Sequence, residues 1–278
     1  MDHTPHTIRT LSFVVVAHCT VAVTYGTFLY QGYPTGFKAS RVTPIFKGGV
    51  TSYCSNYRPV SITNSPSKLS EGIIYDRLYH FPLQNKLIYE CQFGFQKGSS
   101  TTSAAMTLVH RCIDSIEAKR YTAIIFIDIQ KAFDCVDHEI LLIKLNRLGI
   151  RGHLHSLIGD DLFARRQKVK IENHESGFRY VRNGVPQDAV LSTLLFIFFI
   201  NDIFDLRLKG YLQLFADDAA LVYSYTDLAE PAAHIQHDLE LLTNWFYNNL
   251  LFFNVKVDDY TASRSRHPRL IVHCCLRR

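Results

Sequence analysis

The chain has 278 residues, of which 47% are hydrophobic and 20% are charged, and its formal net charge is +5. This length predicts one large or two modest globular units, and the composition is that of an ordinary folded, soluble protein. The seven cysteines include no Cys-x-x-Cys pair, which argues against a zinc ribbon and against a disulfide framework. The positive charge suits a polyanionic partner, although many basic proteins bind none.

An apolar run occupies residues 11–30, behind Arg9. One interpretation is a signal peptide or a weak membrane span. His18, Gly26 and the serine and threonine residues of the run argue against both, and no small-x-small cleavage site follows. We therefore interpret residues 1–32 as an atypical leader and expect no membrane partner. Reduced cysteines are then expected, in the nucleus or the cytoplasm.

Regular patterning extends from about residue 33 to about residue 257. A helix is predicted to open at Ser99-Ser100 and to run to about Lys119. Its apolar stripe comprises Ala105, Leu108, Cys112, Ile113 and Ile116. Residues 121–129, YTAIIFIDI, are apolar and β-branched, which predicts a buried strand. A second helix follows, capped near Asp137 and ended by Gly149.

Residues 191–204, LSTLLFIFFINDIF, are apolar on every side. These 14 residues are too few to span a bilayer, so they predict a helix buried inside the domain. Two short apolar runs, residues 212–216 and 219–223, are joined through Asp217 and Asp218, which predicts a β-hairpin with both acids at its tip. A last helix has its inner stripe on Ile235, Leu239, Leu242 and Phe246. This mixture of helices and antiparallel strands predicts an α+β fold.

Asp217 and Asp218 are the most informative residues of the chain. An exposed acidic turn is the ordinary interpretation of an Asp-Asp pair, because aspartate is common in turns. Here the pair lies between strands that should be buried, where two adjacent negative charges are costly unless a cation compensates them. Asp128 ends a second buried strand. Carboxylates that converge from separate strands are the hard oxygen ligands that Mg²⁺ prefers, and two such ions about 3.5–4 Å apart can catalyse phosphoryl transfer.

Eight segments of the chain occur in the order found in one polymerase family. They are RVTPIFKGG (41–49), NYRPVSITNSPSKLSEGIIYDRL (56–78), QFGFQKGSSTTSA (92–104), FIDIQKAFDCVDHEILLIKL (126–145), GVPQ (184–187), LLFIFFINDI (194–203), FADD (215–218) and WFYNNL (245–250). Together they resemble the reverse transcriptase of non-LTR (LINE-like, jockey-type) retrotransposons over residues 33–257. A single Phe-Ala-Asp-Asp would be weak evidence, whereas eight blocks in order are specific.

The resemblance implies an α+β, right-hand polymerase fold with fingers and palm, in which helices pack on an antiparallel palm sheet. The expected fingers comprise residues 33–120 and the palm comprises residues 121–257, with part of 140–182 returning to the fingers. Residues 258–278 are expected to be an unpatterned basic tail, with the thumb largely missing. The implied activity is RNA-directed DNA polymerisation, which transfers a nucleotide from a dNTP to the 3′-hydroxyl of a DNA primer on an RNA template.

Asp128 falls on the first catalytic aspartate of the family, and Asp217 and Asp218 fall on the acidic pair of its hairpin. The resemblance implies that these three residues bind two Mg²⁺ ions, for which Mn²⁺ can substitute. Phe133 falls on the bulky residue beneath the incoming sugar, where a large ring leaves no room for a 2′-hydroxyl and so selects deoxynucleotides. An ordinary core aromatic is the alternative interpretation of Phe133.

Four further positions are expected to serve the substrate or the leaving group. Lys47 and Arg58 match basic residues of the fingers that hold the triphosphate, where arginine offers a planar fork and lysine a point charge. Solvated surface cations are the alternative for both. Gln187, in the GVPQ segment, is assigned to the same substrate site. Counting without gaps from the WFYNNL segment places Lys256 on the lysine that protonates pyrophosphate, whereas a shifted alignment places Val257 there.

The loop after Gly184 departs from the family pattern, GVPQG-S-VLGPLLF. This chain reads GVPQDAVLSTLLF, with Asp188 where glycine is expected and Ser192-Thr193 in place of Gly-Pro. Glycine permits a close approach and unusual backbone angles beside the nucleotide. An aspartate a few ångströms from phosphates, at an effective dielectric of about 20, adds a repulsion of about 2–3 kcal/mol and a rate loss of about a hundredfold.

Three functions remain open. The intact acidic triad favours an active RNA-directed DNA polymerase domain. Asp188 and the expected lack of a thumb favour a decayed, catalytically weak or inactive fragment that only binds nucleic acid. A membrane or secreted protein that contains a polymerase remnant is motivated by residues 11–30 alone. The sequence specifies no oligomeric state.

Overall fold

The computed structural model of the chain describes residues 32–187, 189–227, 231–254 and 270–273. The chain forms two compact units. Unit 1 contains the described residues up to Pro82 together with Leu142–Thr193, and unit 2 contains Leu83–Leu141 together with the described residues from Leu194 onward. The leader that we predicted over residues 1–32 lies outside the described residues, apart from its last position.

Unit 1 combines an early segment of the chain with a later one, and we had expected part of residues 140–182 to return to the fingers in this manner. The boundaries differ from the predicted division at residue 120, because residues 83–120 belong to unit 2. The assignment of the two units as fingers and palm stays a prediction.

The described helices and strands alternate irregularly along the chain. The α-helices are α1 (Ser65–Gln84), α2 (Thr101–Glu117), α3 (His138–Arg147), α4 (Gly152–Leu162), α5 (Ser192–Ile200) and α6 (Pro231–Asn248). The strands are β1 (Ala39–Phe46), β2 (Tyr57–Thr63), β3 (Tyr121–Gln130), β4 (Arg166–Ile171), β5 (His174–Glu175), β6 (Arg179–Tyr180), β7 (Tyr211–Phe215), β8 (Asp218–Tyr225), β9 (Phe252–Asn254) and β10 (Leu270–His273). This mixture confirms the α+β class. No helix in the described ranges has the length and apolarity to cross a membrane.

The sheet of unit 1 is ordered β2-β1-β4-β5, and β6 also pairs with β4. Strands β1 and β2 form an antiparallel hairpin in which every residue of β2 is paired with a residue of β1. Strands β1 and β4 run parallel. The tip of this hairpin is exposed, since Ile45 and Phe46 are 51% and 43% exposed. Lys47 and Arg58 lie at this tip.

The sheet of unit 2 is ordered β10-β3-β8-β7, and β9 also pairs with β3. Strand β8 is antiparallel to β3 and to β7, β9 is antiparallel to β3, and β10 runs parallel to β3. The strands that carry the acids therefore form the antiparallel arrangement that we expected. The interpretation of residues 258–278 as unpatterned needs correction, because Leu270–His273 forms β10. An apolar segment of this kind can pair with an open strand edge.

The core of unit 2 includes helix α5, in which residues 194–200 are each at most 1% exposed. Alternate residues of β3, namely Ile125, Ile127 and Ile129, are also buried, while Phe126 between them is 45% exposed. This contrast follows from the two-residue period of a strand. The buried helix predicted over residues 191–204 is confirmed, although it continues beyond Ile200 as a 3₁₀ helix.

Helices α2 and α3 begin where the sequence predicted. The Ser103 amide donates to Ser100 Oγ and the Ser100 amide donates to Ser103 Oγ, which is a capping box. Asp137 caps α3, since its Oδ1 accepts from the amides of the second and third residues of that helix. Gly149 has φ +89°, the left-handed conformation in which glycine commonly ends a helix.

The apolar stripe that we predicted for α2 is partly wrong. Leu108 and Cys112 do pack against buried residues of the sheet, and Ala104 is buried beside them. The remaining predicted positions are exposed: Ala105, Ile113 and Ile116. The helix therefore contacts the sheet along a narrower line than its apolar periodicity suggested.

A buried charge cluster lies in unit 1. Arg165 is 3% exposed, and its Nη2 atom lies 2.8 Å from Asp161 Oδ1 and 3.6 Å from Glu71 Oε1. Glu71 also accepts hydrogen bonds from Ser67 Oγ at 3.1 Å and from the Val190 amide at 2.9 Å. Because two carboxylates share one buried guanidinium, removal of Arg165 would leave uncompensated charges in the core.

Asp161→Asn should change how stability depends on pH. Burial is the main cause that raises the pKa of Asp161 from 3.8 to about 6; Arg165 opposes the rise and Glu71 adds to it. Between about pH 4 and pH 6 the folded state retains a proton that the unfolded chain has released. The free energy of unfolding therefore falls as pH rises through this window, by about 3 kcal/mol through Asp161.

Urea unfolding of the wild type and of Asp161→Asn at several pH values across this window measures the difference. The variant should lack this component of the slope, whatever its overall stability. Equal slopes for the two proteins would contradict a buried carboxyl that binds a proton on folding.

Candidate active site

The two adjacent aspartates lie in a tight hairpin. Strand β7 ends at Phe215, Ala216 and Asp217 form the turn, and Asp218 begins β8. Ala216 has φ +56°, a left-handed conformation that costs an alanine about 1–2 kcal/mol. Asp217 is half-buried and Asp218 is exposed. The predicted hairpin is therefore confirmed, with Asp217 in the turn and Asp218 already in the strand.

The register of β3 and β8 sets Asp128 directly opposite Asp218. Opposite residues of an antiparallel pair share one face, with Cβ atoms about 4.5–5.5 Å apart. The turn is tied to the same strand, because the Ile129 amide donates to the Asp217 carbonyl oxygen at 3.4 Å. Desolvation, followed by the negative charges of Asp217 and Asp128, raises the pKa of Asp218. The structure thus places Asp128 opposite Asp218 on paired strands, with Asp217 next to Asp218 in the turn.

The donor chemistry of this cluster suits a hard divalent cation. Mg²⁺ binds carboxylate oxygens, and a cation beside Asp218 would offset the like charges that raise the pKa of its carboxyl. Within the described ranges, no three His, Cys, Asp or Glu side chains are already gathered in a group that could hold a metal ion. Metal binding by Asp128, Asp217 and Asp218 would therefore need their side chains to rotate towards a shared point.

A cleft of about 530 Å³ opens beside the acids. Its walls come from α2 and from strands β3, β7 and β8, and they include Phe126, Phe215 and Ala104. Asp128 and Asp218 also line it. Apolar walls that meet a few polar groups are typical of a substrate-binding cleft.

Phe133 lies in a 3₁₀ helix that follows β3. Its ring stacks on the fully buried Phe196, with ring centroids 4.6 Å apart, and meets the edge of Phe95 at 6.0 Å. Phe133 itself is half-buried. The core therefore orients this ring while part of it stays accessible. This arrangement suits both interpretations of Phe133, the bulky residue beneath the sugar and the ordinary core aromatic.

Lys47, Arg58 and Gln187 all belong to unit 1. Lys47 follows β1 and Arg58 lies in β2, and both residues are exposed. The Gln187 carbonyl oxygen accepts from the Ser61 amide of β2 at 3.1 Å. The structure therefore places these three substrate candidates on neighbouring elements of one unit, whereas the acids and Phe133 belong to unit 2.

Asp188 and Lys256 lie outside the described residues. The residues on either side of Asp188 are held by unit 1. Gln187 is bonded to β2 through its carbonyl, and the Val190 amide donates to the buried Glu71 carboxylate at 2.9 Å. The roles of Asp188 and Lys256 stay predictions.

Two residues that contact the acidic turn were missed by the sequence reasoning. The buried Gln92 accepts from the Ala216 amide through Oε1 at 3.2 Å, and a Cβ atom on Gly94 would lie 2.1 Å from the Ala216 nitrogen. Both belong to the QFGFQKG segment, for which the resemblance supplied a place in the chain and no role. Glutamine and glycine two residues apart form too common a pattern to have revealed the contact.

Solved structures share this fold. Telomerase from Candida albicans, in complex with a TWJ fragment of telomeric RNA, matches with a TM-score of 0.58 and 11% identity over 83% of this chain and 44% of its own. The corresponding complex from Candida tropicalis gives 0.56 and 10% over 80% and 41%. Such low identity shows the fold alone. The fold is therefore of the α+β, polymerase-like class.

The family model described as "Reverse transcriptase (RNA-dependent DNA polymerase)" matches residues 45–256, and the chain belongs to this family. A probable RNA-directed DNA polymerase from transposon BS of Drosophila melanogaster is 33% identical over 235 residues, which cover 81% of this chain and 26% of the relative. The RNA-directed DNA polymerase from mobile element jockey of the same species is 28% identical over 86% of this chain and 26% of its own. These matches confirm the resemblance to non-LTR retrotransposons. The chain spans about a quarter of the length of these relatives.

Proposed function

We propose that the chain is the RNA-directed DNA polymerase domain of a retrotransposon. It would transfer a nucleotide from a dNTP to the 3′-hydroxyl of a DNA primer on an RNA template. The register that sets Asp128 opposite Asp218, with Asp217 adjacent in the turn, carries the proposal. Membership of the reverse transcriptase family and the cleft beside these acids support it.

Asp128, Asp217 and Asp218 are the proposed ligands of two Mg²⁺ ions, with Mn²⁺ as a substitute. When bound, such ions offset phosphate charge and promote loss of the proton from the attacking hydroxyl. The contribution of the protein is positional, because phosphoryl transfer depends on alignment and charge neutralisation more than on covalent chemistry. Paired strands supply this alignment by presenting Asp128 and Asp218 on one face.

Other residues are proposed to bind the nucleotide. Lys47 and Arg58, both exposed at the tip of the β1–β2 hairpin, would hold the triphosphate, and Gln187 would add a further substrate contact. Phe133 would exclude a 2′-hydroxyl. Lys256 would donate a proton to the leaving pyrophosphate.

The proposed compartment is the nucleus or the cytoplasm. The thiols support it, since the cysteines of the described ranges at positions 54, 91, 112 and 135 are free. Free thiols are typical of reducing compartments.

Asp128→Asn and Asp217→Asn should each abolish most primer extension on poly(rA)/oligo(dT) with Mg²⁺ or Mn²⁺. Asparagine keeps the size of the side chain and removes the charge, and a loss of about 4 kcal/mol of transition-state stabilisation lowers the rate about a thousandfold. Asp205→Asn is the matched control. Asp205 is an exposed acid of the same unit that accepts from the Tyr89 hydroxyl at 2.6 Å, a bond that asparagine can retain. Extension that persists in Asp217→Asn would refute the proposed metal site.

Phe133→Val should relax the selection of sugars. The smaller side chain opens space beneath the sugar, so the preference for dUTP over UTP, which differ only in the 2′-hydroxyl, should fall by about a hundredfold. Single-nucleotide incorporation with each triphosphate measures the ratio, and the rate with dUTP serves as the internal control. An unchanged ratio would make Phe133 a core aromatic that packs on Phe196 and has no part in selection.

Asp188→Gly should raise the rate of primer extension by about a hundredfold if repulsion of the substrate limits it. Asp188→Asn separates the two possible causes, because it removes the charge and keeps the bulk. Recovery in both variants would identify charge as the limit, and recovery in the glycine variant alone would identify backbone freedom.

The second candidate function, a decayed fragment that only binds nucleic acid, is favoured by Asp188. It predicts that the wild-type chain extends no primer, while the wild-type chain and both Asp188 variants bind RNA–DNA duplex with an affinity that falls steeply as salt rises. Electrophoretic mobility shifts at two salt concentrations, performed on the same preparations, would establish that outcome.

A further inference from the structure

We propose that Gln92 and Gly94 are positioning residues for the acidic hairpin, because they fix the turn that carries Asp217 and Asp218 from outside the sheet. The inference rests on the proposed polymerase function, since that function gives the two acids their catalytic role. Gln92 and Gly94 themselves contact the turn through Ala216.

The chain around Gln92 is bonded to the end of β7. The Leu214 amide donates to the Cys91 carbonyl at 2.9 Å, and the Phe93 amide donates to the Leu214 carbonyl at 2.8 Å. These two bonds form a parallel bridge between Gln92 and Leu214. Gln92 is therefore anchored to Leu214 of β7, which lies two residues before Ala216 in the sequence.

The Gln92 side chain reaches the turn directly. It is 2% exposed, and its Oε1 atom accepts from the Gly94 amide at 2.8 Å and from the Ala216 amide at 3.2 Å. Two amide donors that converge on one atom require an oxygen there. A carboxylate would satisfy both donors but would add a buried negative charge one residue from Asp217. Glutamine supplies the acceptor without the charge.

Gly94 approaches the turn more closely than any other residue type could. A Cβ atom at this position would lie 2.1 Å from the Ala216 nitrogen and 2.7 Å from its Cα. Both are backbone atoms, so no rotation of a side chain relieves the overlap. A larger residue at position 94 must displace the turn, and a displacement of about 1 Å in an active site can lower the rate about a hundredfold.

The hydrogen bond and the close contact act on the residue with the strained backbone. Ala216 holds φ +56° and is 4% exposed. A left-handed alanine persists only where its surroundings impose the conformation. Gln92 bonds its amide and Gly94 leaves room for its backbone, so together they impose the conformation that directs the chain into Asp217.

The test compares Gln92→Met and Gly94→Ala with the wild-type chain. Gln92→Met keeps the length of the side chain and removes the acceptor, and it remains informative if Gly94→Ala folds poorly. Asn201→Leu is the matched control for the loss of a buried amide in unit 2. Asn201 is 5% exposed, accepts from the Tyr89 amide at 3.3 Å and donates to the Leu87 carbonyl at 2.8 Å.

Two measurements are made on each protein. Hydrogen exchange with mass spectrometry, on the peptide that covers residues 212–220, reports the turn without any need for activity. Primer extension reports kcat, the KM for the dNTP and the Mg²⁺ concentration that gives half the maximal rate. A merely unstable variant lowers the active fraction, which leaves this Mg²⁺ concentration unchanged.

Both Gln92→Met and Gly94→Ala should increase hydrogen exchange in the turn by about tenfold. Both should lower kcat by about 10- to 100-fold and raise the half-saturating Mg²⁺ concentration severalfold, while the KM for the dNTP stays nearly constant. Asn201→Leu should match the wild type in turn exchange and in Mg²⁺ requirement.

Wild-type exchange in Gln92→Met would overturn the proposal that Gln92 fixes the turn. Faster exchange with wild-type kcat and Mg²⁺ requirement would overturn the positioning role. If neither the wild-type chain nor Asp188→Gly extends a primer, the polymerase function is overturned instead, and the exchange data would still decide whether Gln92 holds the turn.

Discussion

The pairing of β3 with β8 is the constraint on which the rest of the site depends. Asp128 lies opposite Asp218 in one register only, and a shift by one residue would turn the Asp128 side chain to the other face of the sheet. The same shift would expose Ile125 and Ile127, which are 2% and 3% exposed. The cost of exposing them, and of burying a carboxylate in their place, opposes the shift. The hydrophobic pattern of one strand therefore sets the position of the acid.

That register also brings like charges together, as the raised pKa of Asp218 indicates. Neutral hydrogen bonds hold them there: the Ile129 amide donates to the Asp217 carbonyl, and the Gln92 side chain accepts from the Ala216 amide. These contacts involve backbone atoms of the turn and leave the carboxylates of the acids uninvolved. A site whose backbone is already in place has less to rearrange when charge develops, and only the carboxylate side chains remain to be oriented.

The features predicted correctly are those with a strong local pattern. The apolar run of β3, the buried helix α5 and the acidic hairpin each have one. On α2 the pattern predicted the helix and its start at Ser99-Ser100. It placed Ile113 and Ile116 inside, because the side of a helix that meets a sheet depends on the path of the chain outside it. Strand β10 escaped prediction because its partner, β3, lies far away in the sequence.

The residues of the candidate site also divide into those that the sequence predicted and those that it did not. The acids were predictable because metal chemistry demands a particular residue type, and an Asp-Asp pair between apolar strands is visible in the sequence. Gln92 supplies one hydrogen-bond acceptor, which several residue types could provide, and only the folded position of the Ala216 amide makes that acceptor necessary. Charge and position are thus separate requirements. The three aspartates meet the first, and the Gln92 and Gly94 contacts address the second. Because the fault proposed at Asp188 is a separate one, an inactive chain would not count against the acids until the Asp188 variants had been measured.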